Sequence, residues 1–121
     1  MTRKHAIHDA APSIVTSHGA DFFGEDRHLL ADLAALAPYV TSSVPFSHRQ
    51  TVAPLVAALE QPGDVRTFPA AAVAQVAEQL LTVSRARGLT PKRSALARAL
   101  ADAAARAATD REPWTWTLET A

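Results

Sequence analysis

The chain has no cysteine, which excludes disulfides and thiolate-bound metals and leaves the redox compartment unreadable. It has no surplus of charge either: 12 Lys and Arg residues balance 12 Asp and Glu residues. No global field therefore steers it towards nucleic acid or an anionic membrane. No apolar run approaches the ~20 residues a membrane helix needs. The basic start Met1-Thr2-Arg3-Lys4-His5 is followed by no hydrophobic signal segment, so the expected location is the cytoplasm. Familiar catalytic signatures are missing too: there is no Gly-x-Ser-x-Gly elbow, no phosphate-binding Gly-x-x-x-x-Gly-Lys and no His-Glu-x-x-His.

Apolar residues make up 48% of the chain but aromatics only 6%, with alanine supplying much of the difference. Alanine loses no side-chain entropy in a helix, so this composition favours a mainly helical fold. A length of 121 residues fits one domain with one core. Residues 1–12 lack periodicity and are expected to form a flexible N-terminal arm, with residues 13–121 as a single compact domain. Within that arm His5, His8 and Asp9 could hold a metal only weakly.

Two stretches read as strands. Ser13-Ile14-Val15-Thr16-Ser17 is β-branched at its centre, and Trp114-Thr115-Trp116-Thr117-Leu118-Glu119 alternates strictly. A lone strand cannot satisfy its backbone N–H and C=O groups, so the chain ends are expected to pair into a two-stranded ribbon. Its tryptophan face is either a lid over the core or a ligand platform.

Between them, about four helices are expected. The first starts near Asp26 or Arg27, carries Leu29, Leu30, Leu33, Leu36 and Val40 on one face, and is kinked or ended at Pro38. The second starts from Thr51 rather than from the Ser47–Gln50 capping pattern, which would put Pro54 in its interior. It stops before the Pro62-Gly63-Asp64 turn. The third opens around Thr67 and Pro69 and runs to about Arg87, with Gly88 as its left-handed stop. The fourth begins with Thr90 as N-cap and Pro91 at the first helical position. The last two form a C-terminal antiparallel hairpin.

Two places could carry function. Residues 17–28 gather His18, Asp21, Asp26 and His28, side chains of the kinds that divalent metals accept. Gly19 and Gly24 permit tight turning, and Phe22-Phe23 could anchor the loop in the core. The bland alternative is a structured loop whose polar groups cap the first helix. The second place is basic: Arg85, Arg87, Lys92, Arg93 and Arg98 fall between Gln79 and Ala101 with no acid among them. Lys92 and Arg93 sit at the positive end of a helix dipole, against its preference, which suggests an anionic partner. Nucleic acid is disfavoured, since the helix after Arg93 offers mainly alanine and leucine to a base edge.

Ser17-His18-Gly19-Ala20-Asp21-Phe22-Phe23-Gly24, together with Trp114 to Glu119, resembles small uncharacterised proteins of high-GC bacteria that share a domain of unknown function. The resemblance extends over most of the chain after residue 12 and implies no activity, cofactor or site residue.

The expected function is a non-enzymatic interaction module: a regulator, adaptor or immunity-type neutraliser whose basic residues meet another protein that has an acidic surface. The competing class is a metal- or small-ligand-binding protein, an enzyme included, with its site in residues 17–28. A nucleic-acid binder using the basic hairpin stands third. No recognisable motif implies a cofactor, no membrane association is expected, and the oligomeric state stays open, a homodimer included.

Overall fold

The computed structural model describes residues 11–120. The elements run β1 (Ser13–Ser17), β2 (Glu25–Leu29), α1 (Leu30–Ser42), a 3-10 turn (Phe46–His48), α2 (Arg49–Glu60), β3 (Val65–Phe68), α3 (Ala70–Ser84), α4 (Pro91–Asp110) and β4 (Trp114–Glu119). The strands form one antiparallel sheet in the order β2-β1-β4-β3. The expected arm over residues 1–12 lies, but for its last two residues, outside the described ones.

The mainly helical reading with a two-stranded ribbon is therefore corrected to a mixed fold: four helices against a four-stranded antiparallel sheet. The ribbon itself is present, with Ser13 opposite Glu119 and Thr16 opposite Trp116. A ribbon alone, however, leaves an unpaired row of backbone groups on each outer edge. Two further short strands take those edges. β2 pairs with β1, Ile14 opposite His28 and Ser17 opposite Glu25. β3 pairs with β4, Phe68 opposite Trp114. Both stretches mimic helix starts in sequence, β2 through the leucine spacing at 29–33 and β3 through the Thr-x-Pro at 67–69.

The helix boundaries shift accordingly. α1 begins at Leu30, and Leu29, placed on its apolar face by spacing, is 46% exposed. Pro38 neither ends nor caps α1, since the buried face of Leu33, Leu36, Ala37 and Val40 continues past it. α2 begins at Arg49, not Thr51, and holds Pro54 inside. Both prolines lie on exposed faces, where the carbonyl each leaves without a donor can meet water. α3 ends at Ser84, well short of Gly88, although Gly88 is left-handed at φ 83°. The end is fixed from the next helix: Ser94 Oγ donates to the Ser84 carbonyl at 2.6 Å. The expected start of α4 holds. Thr90 Oγ1 accepts from the Arg93 amide at 3.2 Å, with Pro91 in the first turn.

The sheet's inner face and the helices share one core. Trp114, Trp116 and Phe68 make an aromatic cluster with ring centroids 5.3–5.5 Å apart, packed among Leu33, Leu36, Leu55, Leu80 and Leu100. The tryptophans are thus core and not a platform, as both are 0% exposed. Alanines at 97, 101, 103, 104 and 107 form much of the buried face of α4, a thin helix surface that lets α3 approach closely.

One flaw in this core is testable. Thr16 Oγ1 and Trp116 Nε1 are buried on opposed residues, and neither has a hydrogen-bond partner. A desolvated hydroxyl without a partner costs free energy that a methyl group of the same shape does not. Thr16→Val is expected to stabilise the protein by about 1 kcal/mol, read as a rise in the urea midpoint. A fall in the midpoint would mean the hydroxyl is satisfied in solution.

Candidate functional site

The stretch at 17–28 does not fold into a single site. It is a hairpin: β1 and β2 run antiparallel, so residues close in sequence end far apart. His28 sits opposite Ile14 while His18 lies beyond Ser17, four residue steps or roughly 13 Å along the strand.

At the hairpin turn, Asp21 and Asp26 hold the backbone. Asp21 Oδ1 accepts from the amides of Phe23 and Glu25, each at 2.8 Å, and Asp26 Oδ1 accepts from Ala20 N at 2.9 Å. Neither belongs to the one described cluster of His, Asp and Glu side chains close enough to share an ion. Phe22 and Phe23 do not plug the core: they are 95% and 79% exposed, edge to face at the tip of the turn. The core already holds the tryptophan cluster on the far side of the sheet, and a tip this tight cannot fold back to reach it.

His18 faces the opposite end of the chain. Its backbone is left-handed at φ 59°, and its carbonyl accepts from Arg106 Nε at 2.6 Å. Ser17 Oγ lies 2.9 Å from His18 Nδ1 and accepts from Thr115 N at 3.0 Å. On the other side of the ring, His18 Nε2 is 2.6 Å from Glu112 Oε1 and 3.9 Å from Asp110 Oδ2. Those acids are set by the end of α4. Arg111 turns left-handed at φ 57°, with Arg111 N bonded to Ala108 O and Glu112 N to Ala107 O. This pair of bonds is the Schellman ending of a helix, and it folds Glu112 back beside Asp110.

His28 belongs elsewhere. It lines a cleft of about 580 Å³ with Arg27, Leu29 and Asp32 on one wall and Thr90, Lys92, Arg93, Ala95, Leu96 and Ala99 on the other. The walls are β2 with the first turn of α1, and the start of α4. His28 Nε2 is buried without a hydrogen-bond partner. Burial pushes the His28 pKa below the ordinary histidine value, against the opposing charges of Asp26 and Asp32. Arg27 is already paired with Glu119 at 2.9 Å, and that carboxylate raises its pKa. Lys92 and Arg93 are in no ion pair among the described residues.

The basic cluster is divided as well. Arg85 and Arg87 line a separate groove with Tyr39, Ser42, Ser43 and Thr82. Arg98 is paired with Asp102 at 3.1 Å, one turn along α4. Of the five, Lys92 and Arg93 share a cleft with His28.

Reasoning from sequence missed Arg106, Asp110 and Glu112 around His18, and Arg27 and Asp32 in the cleft. No local motif marks them. The predicted pairing of the chain ends did carry the signal for the first group: the residue after β1 must come to lie beside the residues before β4.

Residues 19–117 match the family model described as "Domain of unknown function (DUF7739)", and the chain belongs to that family. No curated protein matches the chain. No solved structure matches it either. Among the described residues, no helix is long and apolar enough to cross a membrane.

Proposed function

We propose that the protein is a non-enzymatic binding module of the cytoplasm that captures a carboxylate-rich segment of another protein in the cleft between β2 and α4. The observation that carries this reading is the convergence there of Lys92 and Arg93, neither in an ion pair among the described residues, over an apolar floor of Leu29, Ala95, Leu96 and Ala99. Cations without a partner acid favour an anion, and an apolar floor favours the stems of side chains over a bare inorganic ion. The positive end of α4 adds to the same field. Support for nucleic acid is weaker, because the remaining cations line a different groove or are paired with acid.

The test is binding of a fluorescein-labelled oligoglutamate peptide, followed by anisotropy at low and high salt. Lys92→Glu with Arg93→Glu is expected to weaken binding by about tenfold or more, the scale of losing two favourable charge contacts. Arg85→Glu with Arg87→Glu, on the other groove, should change it little. Equal losses from both pairs would reduce the effect to net charge and remove the cleft from the account. Lys92 is exposed and Arg93 half-buried, and neither makes an ion pair, so unfolding is not the expected outcome.

A further inference from the structure

The side chains around His18 are not used by the cleft. We propose that His18, Asp110 and Glu112 form a site for a divalent transition-metal ion of the zinc type, with the remaining coordination positions taken by water. One ligand atom from each residue lies within 4.8 Å of the other two. Zinc bonds near 2.0 Å in tetrahedral geometry set ligand atoms roughly 3.3 Å apart. The present spacings, 2.6 Å to Glu112 and 3.9 Å to Asp110, bracket that value.

The donor set also selects the ion. One imidazole and two carboxylates suit zinc and its first-row neighbours, whereas calcium and magnesium prefer oxygen alone. An ion here takes the place of the hydrogen now bridging His18 Nε2 and Glu112 Oε1. The ring hydrogen then resides on Nδ1 and is donated to Ser17 Oγ. That hydroxyl is itself anchored by the Thr115 amide. A fixed acceptor on the far ring nitrogen is the arrangement by which metal-bound histidines are held in one tautomer and one orientation.

Access supports the same assignment. His18 is 16% exposed at its side chain while Asp110 and Glu112 are 56% and 58% exposed. The imidazole thus forms the floor of the site and the carboxylates lie open to solvent. Position in the fold gives the site a consequence: it ties the β1–β2 turn to the end of α4, elements separated by some 90 residues of chain. Ion binding would therefore stabilise the native state by an amount that grows with the logarithm of the free ion concentration above its Kd.

The experiment is calorimetric titration of the full-length, chelator-treated protein with zinc chloride, and with magnesium chloride as comparator. It is repeated on Asp110→Asn and Glu112→Gln. Saturable one-to-one zinc binding is expected, at least tenfold weaker in both variants, with magnesium giving no comparable heat. The Asp110 side chain makes no hydrogen bond among the described residues, so Asp110→Asn should melt like the parent in chelator and lose only the metal-dependent rise in Tm. His5 and His8 are common to all three proteins, so zinc held by them appears equally in each. Unchanged zinc affinity in both variants, or no saturable binding by the parent, would overturn the assignment.

Discussion

Replacing Trp114 by alanine is expected to cost about 3–5 kcal/mol, the usual range for deleting a large buried aromatic side chain. Domains of this kind have a total stability of roughly 5–15 kcal/mol, so the variant should sit near the edge of folding. Two contributions add. Trp114 is 0% exposed, stacked on Phe68 at 5.5 Å and edge-on to Trp116 at 5.3 Å, so the substitution empties the centre of the aromatic cluster. Its indole N–H also donates to the Ser17 carbonyl at 2.9 Å, across the β1–β4 seam. Phenylalanine separates the two, because it keeps most of the ring volume and loses the donor. Trp114→Phe should therefore cost more than Trp116→Phe, since Trp116 Nε1 has no partner to lose. Urea unfolding, followed by fluorescence of the remaining tryptophan, measures both. Phe22→Ala, at a side chain 95% exposed, is the control and should leave the midpoint nearly unchanged. Equal costs for the two phenylalanine variants would show that the Ser17 carbonyl finds water instead.

The strand containing Trp114 was also the most legible part of the sequence. Strict alternation from Trp114 to Glu119 fixed its inner face, and the need to satisfy its backbone located β1. The same need for pairing recurs at the outer edges of β1 and β4, which β2 and β3 cover. Glu25-Asp26-Arg27-His28-Leu29 shows why local pattern was silent. As an edge strand at the rim of the core it is exposed at alternate positions and only half-buried between, so no apolar period marks it. Val65 to Phe68 is four residues long, too short for periodicity to emerge. By contrast, the Thr90-Pro91 start of α4 was readable, because it depends on neighbours within a single turn.

The candidate sites divide in the same way. Proximity in sequence suggested that His18, Asp21, Asp26 and His28 work together, but a hairpin converts a short sequence distance into a long one. Asp21 and Asp26 serve the turn, His18 meets acids from α4's end, and His28 meets cations from α4's start. The two sites are linked by α4, which supplies acid to one at its negative end and base to the other at its positive end. Each end therefore carries the charge that its own dipole disfavours. An isolated helix would gain stability from the reverse distribution.

Gly19→Ala is the other substitution with a large expected effect, and its cause is space alone. A methyl group there would lie 2.2 Å from Asp26 N and from the Glu25 carbonyl carbon, and 2.6 Å from the Glu25 oxygen. These are backbone atoms of β2, so relief requires the hairpin to open and not merely a rotamer to change. The opening would strain the bonds from Gly19 N to Gly24 O at 2.8 Å and from Ala20 N to Asp26 Oδ1 at 2.9 Å. A loss of about 3 kcal/mol is expected, at the upper end of the overpacking range because nothing nearby can yield. Gly24 provides the contrast. It has open space but a left-handed φ of 73°, so Gly24→Ala should cost only the torsional penalty of about 1–2 kcal/mol. Urea midpoints of the two variants test that order. The zinc titration reads the same clash at a second point, because Gly19 directly follows His18. If the turn opens as argued, Gly19→Ala should lose zinc affinity while oligoglutamate binding at the Lys92–Arg93 cleft persists, and Gly24→Ala should retain both.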